Sequence, residues 1–189
     1  MTLLQSDGKK LKTGDIAPEF SLIGTDGRMH SATDYSDARA LLVVFMCNHC
    51  PYVLAKIGRL NDIHAKYSRM GVKIIGINSN DAAQYPDDSL ENMKKLVVEK
   101  GIGFDYLYDE TQAVAKAYGA VCTPDPFLFD NGAQLVYHGR LDDALSPEVK
   151  PTKFIMEEAL DAMMRGSLPR QSFLYSQGCS IKWKEDPHA

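Results

Sequence analysis

The sequence predicts an α/β protein with a buried parallel strand at its centre, and three observations carry the prediction. Ala40-Leu41-Leu42-Val43-Val44-Phe45-Met46 is a continuous apolar run, the pattern of a strand covered on both faces. From Cys50 onward, Val53, Ile57, Leu60, Ile63 and Tyr67 recur at steps of three and four, which marks an amphipathic helix that Gly71 stops. Val72-Lys73-Ile74-Ile75-Gly76-Ile77-Asn78 then returns to β-rich composition. A strand therefore feeds a helix, and the helix feeds a second strand.

The remaining elements follow in order. Near the front, residues 18–22 and 29–31 flank Asp26-Gly27 and suggest a two-stranded hairpin ahead of the main sheet. Ser89 is placed to cap a helix carrying Leu90, Met93 and Val97 and ending at Gly101. Residues 105–109 make a short strand, and Thr111 caps a brief helix that ends near Gly119. Residues 126–130 form another apolar strand, from which Asn131-Gly132 fits a tight hairpin turn into residues 134–138. Thr152 caps the last helix, with Phe154, Ile155, Leu160 and Met164 inward and Gly166 closing it.

Composition bounds the function. At 189 residues the chain fits one domain, 1–189, that buries roughly 70% of its unfolded surface. Hydrophobic residues at 44% and charged residues at 24% argue against disorder, collagen repeats and coiled coil. With 21 Lys plus Arg against 25 Asp plus Glu, the net charge of -4 offers no positive field for a phosphate backbone, so no nucleic-acid partner is expected. Lys9, Lys10, Lys12, Lys94 and Lys95 read as solvated faces. Residues 1–12 lack an apolar stretch of signal-peptide length, and nowhere do ~18 apolar residues run together, so the expected address is the cytoplasm, with no membrane partner.

Cys47 and Cys50, three residues apart at the junction of the buried strand and the long helix, ask for a chemical reason. In a helical turn such residues have Cβ atoms about 5 to 6 Å apart, and a disulfide needs about 3.5 to 4.5 Å, so a slightly adjusted first turn can close the pair and reopen it. Unpaired N–H groups and the positive dipole end at a helix start favour a thiolate. Cys47 is expected to be the exposed nucleophile and Cys50 the resolving thiol behind it, with Pro51 suited to the first turn. Two alternatives compete: a zinc site drawing further ligands from Cys122, Cys179 and His49, and a pair of inert core cysteines.

The chain resembles the thioredoxin-fold superfamily in its peroxiredoxin-like branch, that of alkyl hydroperoxide reductase and the thiol-specific antioxidant proteins. The resemblance rests on Gly14-Asp15-Ile16-Ala17-Pro18-Glu19-Phe20-Ser21-Leu22 with Asp26-Gly27, on Cys47-Asn48-His49-Cys50, and on Ala115-Lys116-Ala117-Tyr118-Gly119 followed by Thr123-Pro124 and Phe127-Leu128-Phe129-Asp130-Asn131-Gly132. It spans about residues 11–165 and leaves a C-terminal extension, 166–189. It implies a central mixed β-sheet flanked by helices. It also implies a cis Thr123-Pro124 bond facing the cysteine pair, whose backbone receives a substrate polypeptide as an added strand; from the residues alone, Pro126 is an equal candidate.

Departures from the family decide between activities. Peroxiredoxins share Pro-x-x-x-Thr-x-x-Cys; counted back from Cys50 the Thr position holds Cys47 and the Pro position Val43, and counted back from Cys47 they hold Val44 and Ala40. The activating Arg of those enzymes is replaced by Thr123-Pro124, and the acidic residue that thioredoxins bury beneath the pair by Leu41. His49 before Cys50 resembles strongly oxidising disulfide donors, in which the imidazole stabilises the thiolate and raises the potential. His30, His64, His138 and His188 have no partner motif and are expected at the surface or in hairpins.

Together these features point to a thiol:disulfide oxidoreductase with Cys47, Cys50 and His49 at the reacting site, and Thr123 and Pro124 as the substrate platform. It would act on a protein or small-molecule disulfide or thiol, with a thioredoxin-type or glutathione reductant, and need neither organic cofactor nor metal. The alternatives are a divergent thiol peroxidase and a non-enzymatic redox-sensing or zinc-holding module. Residues 171–184 carry Phe173, Leu174, Tyr175, Ile181 and Trp183, too apolar for a solvated tail, so the extension is expected to dock on the body. Docking would bring Cys179 near Cys47 or Cys122, making Cys122 and Cys179 candidate auxiliary thiols.

Overall fold

A computed structural model describes residues 2–184. The chain runs β1 (Leu3–Gln5), β2 (Ser21–Gly24), β3 (Met29–Ser31), β4 (Ala40–Phe45), α1 (Pro51–Tyr67), β5 (Val72–Asn78), α2 (Leu90–Lys100) and β6 (Asp105–Tyr108). It continues through α3 (Ala113–Tyr118), β7 (Cys122–Thr123), β8 (Asp125–Asp130), β9 (Leu135–Gly139), α4 (Ile155–Met164), β10 (Phe173–Leu174) and β11 (Gln177–Ser180). The main sheet has the order β10-β9-β8-β4-β5-β6-β2-β3 and a second, smaller one the order β1-β11-β7. Within the main sheet β4, β5 and β6 are parallel neighbours, whereas β8 runs antiparallel to β4. The mixed α/β sheet expected from the resemblance is thus present.

The apolar run in β4 is continuous because the sheet is covered twice. Leu42, Val44 and Met46 point into one core with Val53, Ile57, Leu60 and Tyr67 of α1, Met93 of α2 and Leu160 of α4. Leu41, Val43 and Phe45 point into the other, with Val114 and Tyr118 of α3 and Phe127 and Phe129 of β8. Ser89 caps α2 by accepting a bond from the Asn92 N–H, and Gly101 ends it in the left-handed conformation. The expected N-terminal hairpin, β2–β3, forms and joins the edge of the main sheet through the β2–β6 pairing.

Several local expectations are corrected. Thr111 accepts from the Ala113 N–H, but the cap position of α3 is Gln112, whose side chain instead binds the Ser79 and Lys182 carbonyls. Thr152 is held by the Asp143 carboxylate, leaving Phe154 at the cap of α4, and Phe154 is exposed beneath the Arg59 guanidinium. The connection from β8 to β9 spans residues 131–134 in place of a two-residue Asn131-Gly132 turn, and Ala133 takes the left-handed conformation within it. His30 and His138 do lie in hairpins, β2–β3 and β8–β9, but both are buried, His30 between Asp26 and the Tyr35 hydroxyl and His138 against Asp125. His64 is half-buried, and His188 lies outside the described residues.

The tail docks as anticipated, through backbone more than side chains. Strand β10 adds in parallel to the edge of β9 and β11 adds antiparallel to both β1 and β7. Of its large apolar residues Ile181 is buried, Leu174 and Tyr175 are half-buried, and Phe173 and Trp183 remain exposed. Ser176 donates to Asp125, which also meets His138, while Ser6 bonds Ser176, so a buried polar network ties both terminal segments to β8 and β9.

Candidate active site

The end of β4 and the start of α1 place the two cysteines. The Met46 N–H continues the β4–β5 ladder onto the Ile77 carbonyl, so Cys47 leaves the sheet at its carboxyl edge. Cys50 is the cap residue of α1, in extended conformation ahead of Pro51. The expectation that Cys47 is exposed is corrected, since Cys47 is 1% and Cys50 0% exposed.

Opposite them lies the Thr123–Pro124 loop, and this bond is cis, which separates Pro124 from Pro126. Thr123 Oγ1 lies 3.3 Å from the Cys47 sulfur, and the Thr123 carbonyl 3.3 Å from that of Cys50. The backbone edge expected to receive a substrate strand is already filled: Cys179 pairs with Thr123 and Ser180 with Cys122. As β11 lies in that place, the Cys179 and Cys50 sulfurs are 2.7 Å apart. The tail therefore brings Cys179 into contact with Cys50, where the sequence pointed to Cys47 or Cys122.

Cys122, the other candidate auxiliary thiol, lies in the core. It is wholly buried and faces the Ser176 hydroxyl at 3.9 Å, and burial drives its thiol far above the ordinary range, which suits an inert core residue.

A buried carboxylate does lie beside the pair, and the sequence did not reveal it. Asp88, fully buried just before α2, accepts from the Asn48 N–H at 2.7 Å and the Asn80 side chain at 2.7 Å, and lies 2.8 Å from Nδ1 of His49. That last contact is an ion-pair distance outside hydrogen-bond angles. The Tyr85 ring stacks on the imidazole, and Asn48 is further held by the Tyr106 hydroxyl. Asp88 stands next to Asp87 and Ser89 in what reads as an ordinary helix-start cluster, so only the packing of α2 against the β4–α1 turn distinguishes it. Leu41 leaves β4 without a carboxylate here, and Asp88 places one beside the pair from a different element.

The electrostatics follow from these contacts. Asp88 raises the proton affinity of His49 above the ordinary imidazole value, so the ring holds its charge to higher pH. Cys50 is pulled down to about 5, chiefly by the hydrogen bond from the Cys47 thiol, with the Cys179 thiol and the Val53 N–H adding to it against the effect of burial. Cys47 is correspondingly pushed up, by that shared hydrogen bond first and then by burial and the nearby Asp88 charge. The lower proton affinity thus falls on Cys50 and not on Cys47, because the Cys47 and Cys179 thiols and the Val53 N–H all donate toward the Cys50 sulfur.

Donor atoms of Cys47, His49 and Asp88 all lie within 4.8 Å of one another and could hold a metal ion. They fall one short of a tetrahedral protein set, and both Asp88 oxygens already accept hydrogen bonds.

With this geometry in hand, comparisons place the chain among known proteins. It is similar to a crystal structure of an uncharacterized conserved protein from Geobacillus kaustophilus, at 43% identity and TM-score 0.93 over 98% of both chains. A hypothetical protein from Sinorhizobium meliloti 1021 matches at 38% identity and TM-score 0.91, over 96% of this chain and 99% of that one. Among curated proteins it is similar to the thiol-disulfide oxidoreductase ResA of Geobacillus thermodenitrificans, at 26% identity over 65% of this chain and 66% of that protein. Peroxiredoxin Bcp of Escherichia coli matches at 28% identity over 58% of this chain and 65% of that protein. The match thus spans just under two thirds of the length of these curated relatives. The AhpC/TSA family pattern fits residues 13–138, which contain the cysteine pair, Asp88 and the cis-proline loop, and the chain accordingly belongs to the AhpC/TSA family.

Proposed function

We propose that the protein is a thiol:disulfide oxidoreductase in which Cys50 attacks and Cys47 resolves. The observation that carries this is the buried Cys47–Cys50 pair at the start of α1 set against the cis Thr123–Pro124 loop, with Thr123 3.3 Å from each sulfur; the lowered proton affinity of Cys50 selects it as the attacker. A thiolate at Cys50 attacks a disulfide of a protein or small-molecule client, forming a mixed disulfide and releasing the client's second sulfur as a thiol. Cys47 then loses its proton and attacks Cys50, which leaves Cys47–Cys50 oxidised and the client fully reduced. His49 and Asp88 flank Cys47 and are suited to move that proton. A thioredoxin-type protein or glutathione would return the pair to dithiol, and similarity to ResA supports the same chemistry.

The test is catalysed reduction of insulin by dithiothreitol, together with mapping of the first thiol alkylated at neutral pH. We expect turnover to be lost in both Cys47→Ser and Cys50→Ser, and Cys50 to be labelled first. Full turnover by either variant would overturn the proposal.

A second reading, a thiol peroxidase, is favoured by one observation: the anionic sulfur is Cys50, in the register that aligns Cys47 with the peroxidatic threonine. Against it stands the absence of a preceding hydroxyl in that register. Consumption of hydrogen peroxide, with sulfenic acid trapped at Cys50 and no insulin turnover, would select it.

A further inference from the structure

The segment that fills the cis-proline edge carries a thiol in contact with the reacting pair. Three features fix it there. Cys179 sits opposite Thr123 in the β11–β7 register, so its place is set by backbone bonds and not by a mobile side chain. The neighbouring residue is Gly178, where an added Cβ would fall 1.9 Å from the Thr123 carbonyl oxygen, so only glycine lets the strand come this close. Strand β1 and the Ser6–Ser176 bonds hold the far side of β11, and Cys179 is 2% exposed. The sulfur of Cys179 lies 2.7 Å from that of Cys50, against about 2.05 Å in a disulfide, so bonding needs a shift of well under 1 Å.

We propose that Cys179 is a third redox thiol, presented to Cys50 by the protein's own tail in the place of a client strand. The inference rests on the thiol:disulfide reading above. In the oxidised protein the Cys179 sulfur attacks Cys50, the Cys47–Cys50 bond breaks, and the Cys50–Cys179 bond forms. Cys179 gives up its proton and the departing Cys47 sulfur takes one up, so the exchange is an isomerisation of one disulfide and needs no further oxidant. Cys47 becomes the thiol, beside His49 and Asp88, and can attack Cys50 in return. Burial first, and then the neighbouring Cys50 sulfur, raise the Cys179 thiol to about 12 in the dithiol form; closing the Cys47–Cys50 bond removes the anionic neighbour that contributes to this.

The experiment oxidises the full chain with oxidised glutathione, blocks thiols with iodoacetamide in denaturant, and maps disulfide-linked peptides by mass spectrometry. We expect wild type to yield the Cys50–Cys179 peptide with Cys47 alkylated, and Cys179→Ser to yield Cys47–Cys50 in equal amount. Gly178→Ala, which keeps all the thiols but forces β11 off the loop, should cut the Cys50–Cys179 share at least several-fold. If wild type and Cys179→Ser both yield only Cys47–Cys50, the third-thiol role is wrong and the pair reading stands. If neither protein forms a disulfide at Cys47 or Cys50, the pair reading itself falls and takes this one with it.

Discussion

Asp88 shows how much one buried side chain can organise. Its carboxylate satisfies the Asn48 N–H and the Asn80 amide and lies against His49, so its removal leaves one buried and one part-buried donor unpaired. Asp88→Ala should therefore cost about 3 kcal/mol of stability, read as the urea midpoint, whereas a loss under about 0.5 kcal/mol would mean water replaces it freely. The ring of His49 gives the sign of a pH effect. Its folded value is raised, so the stabilisation it contributes is complete below the unfolded value of about 6.5 and is lost as pH climbs through the folded one. In Asp88→Asn the His49 titration, followed by NMR, should move back down toward about 6.5. An unchanged midpoint would show that Asp88 is not what holds the proton. Cys47, Cys50 and His49 were legible as residues from their spacing alone, but the distribution of charge among them was not. That distribution depends on tertiary packing, which brings the Cys179 thiol against Cys50 and, against His49 and Cys47, a carboxylate some forty positions downstream.

At the scale of elements, the strand–helix–strand frame was readable because β4, α1 and β5 have unambiguous periodicities, and each boundary fell within a residue or so of its signal. Caps were less legible. Thr152 and Thr111 have the right side chain in nearly the right place, but Asp143 captures the first and Gln112 displaces the second. Very short strands were invisible: β7, β10 and β11 have two to four residues each, and a piece that small has no period to detect. Their anchoring is tertiary and can be measured. Ile181, just beyond β11, is buried in the core with Phe127 and Leu135, so Ile181→Ala should cost about 2 to 5 kcal/mol. Leu168, 73% exposed in the link to the tail, should cost nearly nothing when changed to Ala. Equal, small effects in urea melts would show that the tail is an appendage and not part of the fold.

Viewed whole, the protein closes its own active site. The small sheet joins residues near both ends of the described chain to the cis-proline loop, and its outermost strands lie more than one hundred positions apart in sequence, which is why no local pattern announced them. The same sheet covers both sulfurs and blocks the edge that a client strand would take. On the proposed reading a polypeptide client would gain entry by displacing β11, and reactivity should follow the free energy of that local opening and not the intrinsic nucleophilicity of Cys50 alone. Iodoacetamide should accordingly label Cys47 and Cys50 of the native protein at least ten times more slowly than the urea-unfolded chain. Loosening the tail should relieve the block. If Ile181→Ala weakens docking by about 3 kcal/mol without unfolding the body, the opened fraction rises roughly a hundredfold and labelling accelerates with it. Native wild type that labels as fast as the unfolded chain, or an Ile181→Ala variant that is destabilised yet labels no faster, would show that the thiols are reached by a path the tail does not control.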